Sequence, residues 1–255
     1  MQFIDTHSHL YDEAFCKDQD EAVARAVDAG VTKIILPDID SNSRDEMFAL
    51  ADRHPEKLFP CIGLHPTSVD AAWREELEKL QGYASRKVWA VGEIGIDCYW
   101  SKEFLSEQIE AFTLQLEMAH RQNLPVIIHS REATGLILEI LSRHRHLELR
   151  GVFHAFSGSL ESFQQLQSLG DWYIGIGGVL TFKKASIAET VRNIPLERIV
   201  LETDSPYLTP VPYRGQRNES AYVPHIAARL SELKQMSIGE IAEQTTTNAK
   251  TLFGI

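Results

Sequence analysis

Eight short apolar runs rich in β-branched residues recur roughly 20 to 40 residues apart, and this spacing constrains the fold more than any other feature of the chain. They are Phe3-Ile4, Lys33 to Leu36, Leu58 to Gly63, Val88 to Ile94, Pro125 to His129, Gly151 to Phe153, Trp172 to Ile176 and Ile199 to Leu201. Stretches with helical periodicity lie between them, over Glu21 to Ala29, Arg44 to Arg53, Glu103 to Arg121, Thr134 to Arg143 and Leu160 to Leu169. Two more, Tyr222 to Leu233 and Ile238 to Leu252, follow the last run. The runs lack a clean alternation of apolar and polar residues, as parallel strands covered on both faces do. Eight βα units within 255 residues predict an α/β fold, a single (β/α)8 TIM barrel whose functional groups gather at the C-terminal ends of the strands. An open doubly wound sheet is the alternative, but its glycine-rich fingerprint does not follow the first strand. With no Pro-, Gly- or Ser-rich linker, residues 1–255 read as one domain.

Charge and cysteine usage narrow the partners. The chain carries 25 Lys+Arg against 36 Asp+Glu, a formal charge of −11, which argues against a surface that coats duplex nucleic acid or an anionic membrane. A nucleic-acid function therefore needs local positive charge or metal ions. Cys16, Cys61 and Cys98 are far apart and form no C-x-x-C pair, so neither a disulfide framework nor a zinc ribbon is expected. With no export signal at the N-terminus and no unbroken apolar stretch of membrane-spanning length, the expectation is a cytoplasmic protein without a membrane partner. Nothing in the pattern signals a coiled coil, and a monomer is expected.

Five of the ten histidines, His7, His9, His65, His129 and His154, fall at predicted strand ends, whereas His54, His120, His144, His146 and His225 fall in helices or connections. In Asp5-Thr6-His7-Ser8-His9 the two histidines are two residues apart, so both can face the barrel mouth and grip one ion. Glu93, in Val91-Gly92-Glu93-Ile94-Gly95-Ile96-Asp97, brings a carboxylate to the fourth strand; Asp97 is read as a ligand or as the cap of the next segment. The fifth and sixth strands end in His129 and His154, and the eighth runs into Glu202-Thr203-Asp204, with Asp204 nearer the mouth and beside the first strand. Alone, each is an ordinary structural residue, a salt-bridged glutamate or a turn aspartate. Together, His7, His9, Glu93, His129, His154 and Asp204 make a nitrogen and oxygen donor set suited to two divalent cations, with Mg²⁺, Mn²⁺ or Zn²⁺ as candidates. The expected division is His7, His9 and Asp204 on one ion, His129 and His154 on the other, and Glu93 bridging. Such paired ions suit an in-line phosphodiester hydrolysis.

The ordered motifs DTHSHL at 5–10, GLHP at 63–66, GEIGID at 92–97, PVIIHSR at 125–131, HAFSG at 154–158, LETDSPYLTP at 201–210 and RGQRNESAYV at 214–223 resemble the TatD family of metal-dependent deoxyribonucleases, among the amidohydrolase-like barrels. The resemblance covers nearly the whole chain. It implies a hydrolase of ester bonds that cuts DNA from single-stranded ends, 3′ to 5′, with the six ligands named above. Asp204 and Glu93 are then the catalytic residues, Asp204 orienting the attacking water and taking its proton. His65 and Arg131 are expected to hold phosphate, and Arg214, Arg217 and Asn218 to follow the backbone from a loop after the eighth strand. Tyr207 and Tyr222 are read as base-stacking or packing residues. Cys98 departs from an aromatic residue common after the GEIG motif, which bears on substrate contact. A hydrolase of small-molecule amides or esters, and a metal-binding barrel without catalysis, remain the alternatives.

Overall fold

A computed structural model describes residues 1–83 and 85–255. All eight expected strands form: β1 (Phe3–Asp5), β2 (Val31–Leu36), β3 (Leu58–Pro60), β4 (Val91–Asp97), β5 (Val126–Arg131), β6 (Arg150–Phe153), β7 (Asp171–Ile176) and β8 (Ile199–Leu201). Every ladder is parallel, running continuously from β1 to β3 and from β4 to β8. Two seams close the barrel. Pro60, which has no amide proton to donate, ends β3, and the chain then crosses to the fourth strand as Gly92 N–H donates to Ile62 O at 2.9 Å. At the other seam Thr6 N–H donates to Leu201 O and Asp204 N–H to His7 O, each at 2.9 Å. The protein is a TIM barrel.

The strands are apolar on both faces because they are covered on both. Ile4, Ile35, Phe59, Ile127, Val152, Tyr173 and Val200 meet inside the barrel, over Leu252 and Phe253 of the last helix. Their strand neighbours, including Ile34, Val126, Ile128 and Phe153, pack outward against the helices. Those helices are α1 (Gln19–Asp28), α2 (Ser41–Arg53), α3 (Trp73–Lys79), α4 (Leu105–Gln122), α5 (Thr134–Arg143), α6 (Leu160–Gln167), α7 (Ile187–Asn193), α8 (Val223–Lys234) and α9 (Ile238–Phe253). The sequence pattern does not expose α3 and α7. Each has seven residues, burying only Trp73 in one and Ile187 and Val191 in the other, too few for a periodic stripe. None of the described helices is long and apolar enough to cross a membrane.

One irregularity in β4 positions the site. Val91 pairs with Val126 and Ile94 with Ile128, so β4 spends one residue more than β5 across this step. Simple alternation from inward Ala90 would turn residue 93 outward. The extra residue reverses the parity, leaving Ile94 and Ile96 in the outer core and turning Glu93 and Asp97 toward the mouth.

Candidate metal centre

His7, His9, Glu93, His129, His154 and Asp204 converge at the C-terminal end of the barrel, where His65 joins them. Glu93 is buried at their centre, with its two oxygens facing different groups. Oε2 lies 3.0 Å from His7 Nε2 and 3.7 Å from His9 Nε2. Oε1 lies 2.8 Å from His129 Nδ1, 3.4 Å from His65 Nε2 and 3.8 Å from His154 Nε2. Asp204 Oδ1 stands 3.7 Å from the Nε2 atoms of His7, His9 and His154. Its φ of 58° is left-handed, a conformation aspartate tolerates better than most residues, and the turn aims the carboxylate back into the mouth.

Three partners behind the histidines were harder to see from sequence. Tyr11 donates its hydroxyl to Pro37 O, and that hydroxyl lies 2.9 Å from His9 Nδ1. Asp97 Oδ2 lies 2.9 Å from His129 Nε2, and Glu202 Oε1 lies 3.1 Å from His154 Nδ1. Room for Glu202 comes from Gly175, where a Cβ would stand 2.0 Å from Glu202 Oε2. Beneath Glu93, the buried pair Arg44 and Asp38 ties three strand ends together. Arg44 Nε donates to Asp38 Oδ2 at 2.6 Å, Gly63 N–H donates to the same oxygen, and Glu93 N–H donates to Asp38 O.

The electrostatics follow from this packing. Burial pushes His7 well below its ordinary pKa and His9 down to about 4, so both are neutral imidazoles with Nε2 directed inward. Burial lowers His129 and His154 too, but the carboxylates outweigh it: Asp97 and Glu93 push His129 up to about 9, and Glu202, Glu93 and Asp204 push His154 up to about 10. Burial raises Glu93, yet the surrounding histidines hold it well below the usual carboxylate range, while burial and the neighbouring carboxylates push Asp204 up to about 7.

This arrangement fits divalent cations. His7 Nε2 and His9 Nε2 stand 3.2 Å apart, and three groups, His7, His9, Asp204, then His7, His154, Glu202, and His65, Glu93, His129, each offer donor atoms close enough to hold one ion. The His7 and His154 rings stack at 3.4 Å, so protonating both would set two positive charges face to face. Counted as ionised, Glu93, Asp97, Glu202 and Asp204 carry four negative charges, the number two divalent cations neutralise.

The remaining expected residues separate. Arg131 and His65 line a cavity of about 650 Å³ above the cluster. Asn218 does not reach it: buried, it donates to Thr203 O at 2.8 Å and to Tyr207 O, and so holds the loop that presents Asp204. Arg214 lies exposed over Phe182, outside the cavity lining, and Arg217 is bound by Asp18 through two 2.7 Å bonds. The expectation that Asn218 follows a bound backbone is therefore corrected, while Arg217 is engaged within the protein and Arg214 is left at the surface. A polar loop is legible in sequence, but not that Asp18, just before α1, captures its arginine. Tyr207 is at the mouth, whereas Tyr222 stacks on Tyr213 at 4.2 Å, and half-buried Cys98 packs against the core.

A model of the family described as TatD related DNase matches residues 4–254. The chain belongs to that family. YabD of Bacillus subtilis, named an uncharacterized metal-dependent hydrolase, is 38% identical over 259 residues that cover 99% of each chain. The crystal structure of YjjV, a TatD homolog from Escherichia coli, matches with a TM-score of 0.90 at 34% identity, across 99% of this chain and 98% of that one. A TatD family hydrolase from Entamoeba histolytica, 23% identical, shares the fold with a TM-score of 0.83 over 99% and 98% of the two chains.

Proposed function

We propose that the protein is a metal-dependent deoxyribonuclease that hydrolyses phosphodiester bonds from single-stranded DNA ends, 3′ to 5′. The observation that carries this reading is the division of the Glu93 carboxylate, Oε2 toward His7 and His9 and Oε1 toward His129 and His154. His7, His9 and Asp204 would hold one divalent cation and His129 and His154 the other, with Glu93 shared. Two such cations, when bound, lower the pKa of water and neutralise charge on phosphoryl oxygens. The membership of the TatD related DNase family and the naming of its relatives as metal-dependent hydrolases support the same reaction class.

The chain's own groups supply the rest. Asp204, whose carboxyl burial pushes up to about 7, sits at the edge of the cluster with its side chain 16% exposed, where it orients the attacking water and accepts its proton. Arg131 and His65, on the wall of the cavity, hold the phosphate against the cluster. Asn218 keeps Asp204 in place through the Thr203 and Tyr207 carbonyls.

The test is nucleotide release from single-stranded oligonucleotides labelled at either end, with Mg²⁺, Mn²⁺ or Zn²⁺ supplied after chelation. Shortening from the 3′ end that needs a cation, and falls at least about 100-fold in Asp204→Asn, is expected. No release with any of these ions, or equal release by wild type and Asp204→Asn, overturns the reading. Cleavage of amide or carboxylic-ester substrates alone would transfer the site to small-molecule hydrolysis.

A further inference from the structure

Four of the large apolar side chains left exposed among the described residues gather around one opening. Trp100 is 69% exposed, Tyr207 54% and Leu208 40%, and all three line the cavity above Glu93; Tyr99, 51% exposed, packs edge-on against Trp100 at 5.0 Å between ring centroids. Soluble proteins scatter such residues singly, and a cluster around a polar cavity marks a binding surface. Trp100 follows β4 and Tyr207 follows β8, four strands apart in an eight-stranded barrel, so the two rings stand on opposite sides of the mouth.

The β4 side is the more completely built. Arg131 stacks its guanidinium on Tyr99, 3.8 Å from the ring centroid, and lies 5.2 Å from the Trp100 centroid. Asp97 fixes the turn: its Oδ1 accepts the Tyr99 and Trp100 N–H groups at 2.9 and 3.1 Å, while its Oδ2 contacts His129. One carboxylate thus sets the position of both the aromatic pair and a residue of the metal cluster. With Tyr99 and Arg131 both against it, Trp100 still leaves most of its surface exposed in the cavity lining, beside the Arg131 cation.

We propose that Tyr99 and Trp100, braced by Arg131, form a stacking platform for one unpaired nucleobase next to the cleaved phosphodiester. The inference rests on the nuclease reading and adds the feature that selects single strands. A phosphodiester that reaches buried Glu93 must leave its partner strand, and the freed base exposes two π-faces. Arg131 meets the phosphate while Trp100 covers the base. Since every base has a π-face, the platform tolerates any sequence.

Cleavage of oligonucleotides with one abasic nucleotide on either side of the cleaved bond tests this, alongside Trp100→Ala, Trp100→Phe and Tyr99→Ala. Base stacking of this kind predicts a loss of about 5- to 150-fold in kcat/KM when the stacked base is removed. Trp100→Ala should show the same loss with the intact substrate and no further loss with the abasic one, and Trp100→Phe should recover most of it. Multiplying losses, or a Trp100→Ala enzyme equal to wild type, would overturn the platform. Binding is followed separately by tryptophan fluorescence with a phosphorothioate oligothymidylate on the metal-loaded protein, where quenching should vanish in Trp100→Phe. Cleavage without this quenching removes the platform and leaves the nuclease; quenching without cleavage keeps the platform and removes the nuclease. Neither signal removes both.

Discussion

The two halves of the candidate metal site are made of the same side chain in different company. His9 rests on a neutral tyrosine hydroxyl, whereas His129 and His154 have the Asp97 and Glu202 carboxylates behind them, at 2.9 and 3.1 Å. Burial presses on all four rings. It prevails in the first half, where His9 falls to about 4, and loses in the second, where His129 and His154 rise to about 9 and 10. Sequence position made these histidines equivalent strand-end residues; their backing makes one pair neutral donors and the other strongly basic ones. A carboxylate behind a ligating imidazole fixes its orientation and raises its basicity. Asp204, inside the cluster, gives its negative charge to both halves, standing 3.7 Å from His7, His9 and His154 alike.

The shared residue should show the largest effect. Glu93→Gln takes charge from both halves at once, so bound metal, counted per chain by elemental analysis after desalting, should fall below one ion. Activity should fall by more than about 100-fold, because losing a mere supporting partner of a ligand already costs 10- to 100-fold. A Glu93→Gln protein that still holds two ions would erase the distinction between halves, since neither would depend on the bridge.

A smaller effect should be confined to the second half. Glu202→Gln keeps the shape of the side chain but removes the charge behind His154, and should weaken one of two metal-binding steps about 10- to 100-fold in calorimetric titration, leaving the other unchanged. Gly175→Ala reaches the same place from the other direction, because its Cβ would collide with Glu202 Oε2 and displace the carboxylate. Equal weakening of both steps in either variant would mean that the backing carboxylates serve the cluster as a whole.

Legibility in the sequence followed the same division. The barrel was readable because its strands end in chemistry at a regular spacing, and the six central residues because histidines and carboxylates at strand ends have few structural reasons to recur. Asp38, Arg44 and Glu202 were not readable as partners: Arg44 meets Asp38 because α2 folds back beside the end of β2, and Glu202 reaches His154 from two strands away. Asp97 was left between ligand and cap; it caps the turn, and its other oxygen supports His129 rather than joining a candidate donor group. Glu93 faces inward only through the extra residue in β4, which no alternation rule anticipates. Asn218 failed as a substrate contact for the opposite reason: a polar residue in a polar loop looks free until the carbonyls that occupy its amide are known.

The finest test concerns the neutral half. Tyr11 has one hydroxyl proton, which goes to Pro37 O, so the contact with His9 Nδ1 requires the imidazole to donate. That fixes the tautomer with Nδ1 protonated and leaves the Nε2 lone pair, which faces Glu93 and Asp204, free for a cation. Tyr11→Phe removes the acceptor without altering the ring that packs beside His9. Because a neutral hydrogen bond contributes about 1 kcal/mol net, the affinity of the first half for its ion should fall about 5-fold, less than Glu202→Gln costs the second. The affected step should be the one that Glu202→Gln leaves intact, and the losses of a double variant should depart from simple addition, since His9 and His154 share Glu93 and Asp204. If Tyr11→Phe instead weakens the step that Glu202→Gln weakens, the division of donors between the two oxygens of Glu93 does not describe how the ions are held.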